Sequence, residues 1–229
     1  MNAPQVIISS NEKLACNIKC GEATFDIMGM AAEDFPEMPT VGSDRTLKID
    51  GSLLSEMVKG TFFATAQNEG AKPILTGINV TVKDSVMQFV AIDGYRLAIK
   101  RENVDISDDF SFILSGKAVS EAVKLIDENT EDVEMRVGEN LISFNINGYD
   151  FISRLLEGEF VNYQKTIPSE HTQRVVVNTR ELIDTIERVS LLISESFSTP
   201  VRCYFNELNV VFTCATSMGR AAETFNTQL

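Results

Sequence analysis

The order of apolar and polar residues along the chain predicts many short β-strands and a smaller number of amphipathic helices. Apolar and polar residues nearly alternate through 74–82 and 141–146, which is the pattern of strands with one buried face. Apolar residues recur with helical spacing at about 52–65 and again over 119–126. Two helices against many antiparallel strands predict an α+β fold, with the helices on one face of the sheets.

A strand, a helix-capping residue and a helix recur in the same order at regular distances. Asp50 and Asn178 both occupy a predicted N-cap position, where a short polar side chain accepts a hydrogen bond from a free helical amide, and they lie 128 positions apart. The segment at Ser115 repeats the one at Asp50 after 65 positions, about half of the longer period. Other matches pair 12–14 with 139–141, Pro73 with Pro200, and 94–96 with 218–220. Each long unit is therefore a doubled half-unit of one strand, one helix and several strands.

The repeat also indicates how the chain is divided. Residues 1–42 correspond to the end of one unit, 43–172 to a complete unit, and 173–229 to the opening half of a third. At roughly 150 residues per domain, a length of 229 residues predicts about one and a half domains. The repeat explains this non-integral number, because one complete unit is flanked by parts of two others. We therefore expect tandem domains built from strand-helix-strands half-units, in a chain that stops within a unit at both ends.

Charge and apolar content limit the partners and the location of the protein. The chain has 20 Lys and Arg residues against 33 Asp and Glu, a formal net charge of −13. Such acidity argues against tight, nonspecific binding of nucleic acid, which depends on cations that neutralise phosphates. Apolar runs are shorter than the roughly 18 residues that a membrane helix needs, and the first residues lack the pattern of a signal peptide. We expect a cytoplasmic protein with no membrane partner and with its four cysteines reduced.

Residues that could carry catalysis or hold a metal are sparse. His171 lies in a polar linker between units, and we interpret it as a solvated histidine rather than a general base. Cys16 and Cys20 are predicted on one face of a strand. A structural zinc site normally has two close pairs of ligands, so we interpret both as buried core thiols. The glycine-rich motifs of nucleotide sites and the GxSxG elbow of hydrolases do not occur. We expect no catalytic residue, no metal and no cofactor.

Residues 89–100 form a distinctive segment: a strand, an Asp93-Gly94 turn and a second strand. Taken alone, this is a β-hairpin without an assigned function. Together with the repeat, it resembles the bacterial replicative sliding clamp, the β subunit of DNA polymerase III, whose central domain carries this alternation around Asp-Gly-(His or Tyr)-Arg-Leu. The resemblance extends to 32–36 and 155–163, which look like the ends of the first and central clamp domains, and to 197–202, which looks like the third.

The resemblance implies a non-catalytic processivity subunit built from clamp-type domains. Residues 1–42 would be the end of the first clamp domain, 43–172 the complete central domain, and 173–229 the opening half of the third. Clamps of this family are rings of two chains that encircle duplex DNA with their helices around the hole, so only the helices need basic residues. A homodimer ring is implied for the full-length protein but is not expected for this chain, because the ring contact joins a first domain to a third. The candidate DNA-facing residues are Lys59, Lys72, Lys117, Lys124, Arg180 and Arg188.

The resemblance also implies a pocket for short peptide motifs of DNA polymerase and clamp-loader subunits, with Gln, Leu and Phe as anchors. Such a pocket combines aliphatic walls with a polar rim. Ile92 stands where many members have Thr, and Val161 where many have Pro, which puts the peptide preference in doubt. The family completes this pocket with the end of its third domain, which this sequence does not include. The matching positions are Leu75, Gly94, Tyr95, Arg96, Leu97, Val161, Lys165, Thr166 and Phe197.

Two other functions fit parts of the pattern. A small-molecule enzyme of α+β fold would use a carboxylate pair in a cleft between units, and a carboxylate with a strongly raised pKa would favour it. A protein-interaction adaptor without a role on DNA would share the hairpin pocket but would lack basic residues on the helix faces. The clamp function accounts for both the repeat and the hairpin.

Overall fold

Antiparallel strands are the commonest regular element of the chain, which a computed structural model describes at residues 5–42, 45–67, 70–106, 108–172, 174–193, 199–206 and 208–226. The strands are β1 (Val6–Ser10), β2 (Ala15–Cys20), β3 (Ala23–Met28), β4 (Arg45–Asp50), β5 (Gly77–Lys83), β6 (Val86–Ile92), β7 (Leu97–Asn103), β8 (Phe110–Ser115), β9 (Asp132–Val137), β10 (Leu141–Ile146), β11 (Tyr149–Arg154), β12 (Arg202–Phe205), β13 (Asn209–Thr216) and β14 (Gly219–Asn226). The helices are α1 (Gly51–Lys59), α2 (Gly116–Ala122) and α3 (Thr179–Ser190). Contacts within the chain divide it into two units, Met1–Tyr163 and Gln164–Leu229.

The first unit contains two four-stranded sheets that exchange strands between the half-units. One sheet has the order β11-β10-β9-β4 and the other β7-β6-β5-β8, so the first strand of each half-unit pairs with a strand of the other half. Leu47 of β4 lies opposite Met135 of β9, and Ile78 of β5 lies opposite Leu114 of β8. This reciprocal pairing makes the doubled half-unit one folded body.

One hydrophobic core joins both sheets to α1 and α2. Its buried side chains include Leu54 of α1, Val119 of α2, Phe89 of β6 and Phe144 of β10. Each helix contributes the apolar stripe that the sequence spacing predicted, and each strand contributes alternate residues. The predicted α+β fold, with helices against antiparallel sheets, is confirmed.

The first helix is shorter than its apolar spacing predicts. The helix expected over 52–65 ends at Lys59, and a 3₁₀ turn at Phe62–Ala64 carries the apolar stripe onward. Thr61 lies between the two, and its Oγ1 donates to the carbonyl oxygen of Met57 at 2.8 Å. The hydroxyl takes the place of the backbone N–H that would bond this carbonyl if the helix continued, so it favours the end of the helix here.

The strand expected over 74–82 also begins later, at Gly77. Pro73 starts a 3₁₀ turn that includes Leu75 and ends at Thr76. Proline has no N–H to donate to a strand ladder, so the chain turns before it enters the sheet.

Repeated positions take the same structural role in each copy. The side chains of Asp50 and Asn178 accept hydrogen bonds from first-turn amides of α1 and α3, and Ser115 does the same for α2. Gly21 and Gly148, one long period apart, both have positive φ (58° and 82°) in the turn before the last strand of their sheets. The predicted caps are therefore confirmed, because capping depends on residues that are close in sequence.

In the second unit, α3 packs against a three-stranded sheet of order β12-β13-β14. Val189 of α3 is buried with Val210, Phe212 and Phe225 of the sheet. The unit therefore has the helix and the strands of one half-unit.

The three-stranded sheet β1-β2-β3 leaves an apolar face open to solvent in the described part of the chain. Ile8, Ile18 and Phe25 lie side by side across it, and Ile8 and Phe25 are 66% and 61% exposed. Cys16 and Cys20 are only half-buried on the same face. The expectation that they are buried core thiols is therefore wrong, because this face is not covered.

Candidate functional sites

The turn between β6 and β7 is built around the carboxylate of Asp93. Its Oδ1 accepts hydrogen bonds from the backbone N–H groups of Tyr95 (3.0 Å) and Arg96 (3.1 Å), and its Oδ2 accepts from Nε of Arg96 at 2.9 Å. Gly94 has a φ of 92°, a left-handed conformation that glycine adopts without strain. The Asp-Gly pair thus holds both the backbone of the turn and the side chain of Arg96.

The Asp93 carboxylate is ionised at neutral pH. Burial opposes its ionisation and is the largest single influence, since the side chain is only 11% exposed. The N–H groups of Tyr95 and Arg96 and the guanidinium of Arg96 together outweigh burial and lower the pKa of Asp93 below its ordinary value of 3.8. The charge-assisted bond to Arg96 is therefore present at physiological pH.

A pocket of about 500 Å³ lies beside this turn. Arg96 lines it with its Cζ 6.0 Å from the ring centroid of Phe63, a cation–π contact. Tyr95 is 96% exposed, and exposed aromatic side chains at a pocket are typical of binding surfaces. The lining residues are Ala66, Gln67, Gly70, Ala71, Leu75, Asp93, Tyr95 and Arg96. We call this space the hairpin pocket.

The structure brings together part of the predicted peptide site. Leu75, Tyr95 and Arg96 line the hairpin pocket, while Gly94 lies in the turn and Leu97 begins β7. Residues of the first half-unit therefore supply this part of the site, although Leu75 is 20 positions from Tyr95.

Peptide binding stays a prediction at every position of this site, and the remaining described positions lie outside the hairpin pocket. Val161 is half-buried, and its carbonyl accepts from the N–H of Tyr163 at 2.8 Å, but it is not among the described residues that line the hairpin pocket. Lys165 and Thr166 lie in the second unit, in a 3₁₀ turn. Phe197 lies outside the described residues.

Sequence analysis missed three residues at this pocket: Asp93, Gln67 and Phe63. The Asp-Gly dipeptide could have identified Asp93, because an aspartate before a turn glycine commonly bonds the backbone two residues on. Gln67 donates from Nε2 to Oγ1 of Thr65 at 2.8 Å, and Phe63 meets Arg96 across the fold. The contact of Phe63 with Arg96 joins residues 33 positions apart and has no signal in the local sequence.

A groove of about 800 Å³ lies along α1, α2 and the turns that follow them. Lys59 comes from the end of α1, Lys117 from α2 and Lys124 from the turn after α2, and all three line this groove. Their side chains are exposed, although Lys124 forms an ion pair with Glu121 at 2.6 Å. The apolar residues Val58, Phe62, Val123 and Ile126 also line it. We call it the lysine groove.

The other predicted DNA-facing residues lie elsewhere. Lys72 is exposed and directly precedes the 3₁₀ turn that begins at Pro73. In the second unit, Arg180 forms an ion pair with Asp184 at 3.1 Å, and Arg188 Nε donates to Glu223 at 3.0 Å. The hydrogen bond from Arg188 is the main reason that the pKa of Glu223 is lowered. A role on DNA stays a prediction for all six candidate cations.

The described residues offer little for metal binding or acid–base catalysis. No group of three or more His, Cys, Asp or Glu side chains there is placed to hold a metal. The carboxylates with shifted pKa values, Asp50, Asp93 and Glu223, are all shifted downward. A raised carboxylate pKa, which would favour an enzyme, is therefore not found among them. None of the described helices has the length and apolar character needed to cross a membrane.

Known proteins resemble the chain across both sites. A family model for the central domain of the DNA polymerase III beta subunit matches residues 48–162. The beta sliding clamp of Bacillus subtilis is 33% identical over 187 residues, which cover 81% of this chain and 49% of that protein. The beta sliding clamp of Halalkalibacterium halodurans is 30% identical over 195 residues, with 83% and 51% covered. The chain therefore spans about half the length of the curated relatives it matches.

Solved structures agree with these sequence matches. The DNA polymerase sliding clamp of Bacillus subtilis superposes with a TM-score of 0.83 at 27% identity, covering 97% of this chain and 60% of that one. The DNA polymerase III beta subunit of Thermotoga maritima superposes with a TM-score of 0.80 at 27% identity, again covering 97% and 60%. The arrangement of sheets and helices is thus that of these proteins.

Proposed function

Because the chain belongs to the DNA polymerase III beta-subunit family, we propose that it is part of a sliding clamp, a processivity factor that encircles duplex DNA and tethers replication proteins to it. Residues 43–172 would be its complete central domain, with 1–42 and 173–229 belonging to the first and third domains. Such a subunit has no catalytic activity of its own and works in the cytoplasm. Its partners would be duplex DNA and short peptide motifs of polymerase and clamp-loader subunits.

The lysine groove is the observation that supports a role on DNA. Lys59 and Lys117 come from different half-units, yet they line one groove of a chain whose net charge is −13. A protein that surrounds DNA needs only weak attraction on its inner surface, because the closed ring prevents escape. The same lysines disfavour an adaptor without a role on DNA, which would lack basic residues on these helices.

Replacement of the groove lysines tests this role. We expect the combined change Lys59→Gln, Lys117→Gln and Lys124→Gln to weaken binding of a short DNA duplex roughly tenfold at low salt, because three phosphate contacts are lost. Fluorescence anisotropy with a labelled duplex measures the change.

The matched control replaces three exposed lysines outside the groove, Lys13, Lys19 and Lys83, with Gln. This variant changes the net charge by the same amount as the groove variant. Its affinity for DNA should stay within about twofold of that of the unchanged chain. Equal losses for the two triple variants would contradict a specific role of the groove.

The hairpin pocket supports the proposed binding of partner peptides. Leu75 offers an apolar wall, Arg96 and Asp93 a polar rim, and Tyr95 an aromatic side chain that is free to close on a ligand. Apolar anchors with oriented polar groups are the usual composition of peptide pockets. We propose that the Leu and Phe anchors of a partner motif enter here and that the Gln anchor meets the rim.

Tyr95→Ala tests the peptide site. We expect about tenfold weaker binding of a peptide with Gln, Leu and Phe anchors, because truncation of an interface tyrosine commonly costs this much. Isothermal titration calorimetry gives the affinity, and NMR shifts at Tyr95, Arg96 and Leu97 give the location.

The control is Tyr149→Ala, since Tyr149 is another exposed tyrosine, at the β10–β11 turn. Its affinity for the same peptide should stay within about twofold of the unchanged chain. NMR shifts that leave the β6–β7 turn unchanged would refute the assignment of the pocket.

A further inference from the structure

The segment after β11 crosses one face of the β7-β6-β5-β8 sheet. This is the face opposite the helices, and we call it the outer face. Leu155 forms a bridge with Leu114 of β8, and the N–H of Leu156 donates to the carbonyl of Ile113 at 2.9 Å. Further along, the hydroxyl of Tyr163 accepts from Nε2 of Gln88 at 2.6 Å. A cleft of about 550 Å³ remains where residues 155–160 meet the sheet. We call it the outer cleft, and its described lining residues are all different from those of the hairpin pocket and the lysine groove.

Asn79 of β5 lies in the wall of the outer cleft. It pairs with Ile113 in the sheet, and the alternation of the strand turns its side chain away from Ile78 and Val80, which face the helices. Asn79 is 7% exposed, and its Oδ1 lies 3.5 Å from Oγ of Ser111. Its side-chain NH₂ group has no acceptor within the described ranges of the chain. Buried amide donors are normally satisfied, so this group indicates a missing acceptor in the cleft.

Three carboxylates surround the same cleft. Glu139, Glu157 and Glu159 line it and are exposed, and none of them forms an ion pair or side-chain hydrogen bond with a described residue. Among the described residues, no lysine or arginine lines the cleft. Phe160 is half-buried beside them and offers an apolar surface to the stem of a long side chain. The outer cleft is therefore negatively charged. It also has an apolar wall at Phe160 and the side-chain NH₂ group of Asn79 as a hydrogen-bond donor.

We infer that the outer cleft binds an extended basic peptide segment of a protein partner. A Lys or Arg side chain of that segment pairs with Glu157 and Glu159, its aliphatic stem lies on Phe160, and a backbone carbonyl accepts from the NH₂ group of Asn79. A free metal ion does not fit, because the described carboxylates of the cleft are not grouped closely enough to hold one. A peptide supplies both the cation and the acceptor, and the unpaired charges of the cleft match it.

A pair of synthetic peptides tests this inference with the whole 229-residue chain. The first is a capped hexapeptide of alternating Gly and Arg, and the second has Gln in place of each Arg. We expect the Arg peptide to bind with an affinity that falls as salt rises, and to shift the NMR signals of Asn79, Ser111 and residues 157–160. The Gln peptide should bind at least tenfold more weakly, because the charge pairing is lost.

Two charge-matched variants give the decisive comparison. Glu157→Gln with Glu159→Gln should weaken the Arg peptide about tenfold, whereas Glu12→Gln with Glu22→Gln, which do not line the cleft, should leave it within twofold. Saturation with a Gln-Leu-Phe anchor peptide should not change either affinity, so this test is independent of the hairpin pocket. Equal affinities for the two variants, shifts located away from the cleft, or equal binding of the Gln peptide would each overturn the inference.

Discussion

At the scale of single residues, Asp93 shows how one side chain can organise both a turn and the pocket beside it. It accepts two backbone N–H groups and one guanidinium N–H, so the turn and the wall of the hairpin pocket depend on the same carboxylate. The geometry is local, since all partners lie within three positions of Asp93. We therefore assign Asp93 as a positioning residue, which acts on the pocket through Arg96.

The pH dependence of this turn follows from the lowered pKa of Asp93. In the unfolded chain the carboxylate has its ordinary pKa of 3.8, and in the folded chain its pKa is lower, because the turn's hydrogen bonds outweigh burial. Its contribution to stability is therefore fully present above pH 3.8 and is lost as the pH falls through the folded pKa. An NMR titration of the Nε–H signal of Arg96 should show a transition only below that value.

Asp93→Asn provides the comparison for this titration. Asn can still accept a backbone N–H, but it cannot ionise, so the signal of Arg96 should lose its acid transition. Affinity for a Gln-Leu-Phe anchor peptide should fall about three- to tenfold, because the charge-assisted bond that holds Arg96 is gone. An unchanged acid transition in this variant would show that another group holds Arg96.

At the scale of elements, both helices of the first unit begin with a glycine where the other half-unit comes close. A Cβ on Gly51 would lie 2.9 Å from Cγ2 of Thr130, and one on Gly116 would lie 2.7 Å from the carbonyl oxygen of Thr76. These contacts are shorter than any normal Cβ contact. The glycines permit the close approach that the exchanged strands require.

Gly116→Ala measures this close approach. Alanine would favour a helix by up to about 1 kcal/mol, but the clash with a backbone oxygen should outweigh that gain and destabilise the fold by about 1–3 kcal/mol. Urea denaturation followed by circular dichroism gives the difference in unfolding free energy. Gly42→Ala is the control, because its added Cβ meets no described residue within 4 Å, and it should change stability by less than about 0.5 kcal/mol. A Gly116→Ala variant as stable as the control would show that the backbone yields without cost.

At the scale of the whole molecule, charge and topology have to be considered together. A net charge of −13 disfavours a protein that holds DNA by surface attraction, whereas the lysine groove provides a small basic surface. Encirclement of the duplex, which is part of the proposed function, would reconcile the two. We therefore expect the 229-residue chain, taken alone, to bind DNA weakly through phosphate contacts of the lysine groove.

Retention on circular DNA tests that expectation. The chain should bind nicked circular and linear duplexes with equal affinity, and both complexes should dissociate above roughly 0.2 M salt, because only phosphate contacts hold them. Gel filtration with light scattering reports whether a dimer is present. A dimer that stays on the circle at high salt and is released when the circle is cut would refute this prediction.

Sequence by itself determined the features that depend on near neighbours. The caps Asp50, Ser115 and Asn178 and the turn glycine Gly94 could be predicted, because a cap or a turn is completed within about four positions. The repeat identified the doubled half-unit for the same reason, since each copy carries its own local signals. Helix ends were predicted less well, because a 3₁₀ turn can carry the same apolar stripe.

Only the tertiary structure decided which distant residues meet. The alternation of apolar and polar residues shows which face of a strand is buried, but it does not show which strand lies beside it. The exchange that pairs β4 with β9 and β8 with β5 was therefore not predictable. That exchange is part of the fold that brings Lys59 and Lys117 into one groove and covers Asn79 with residues far along the chain. Apolar patterns are interchangeable between strands, and only packing of the whole core selects one pairing.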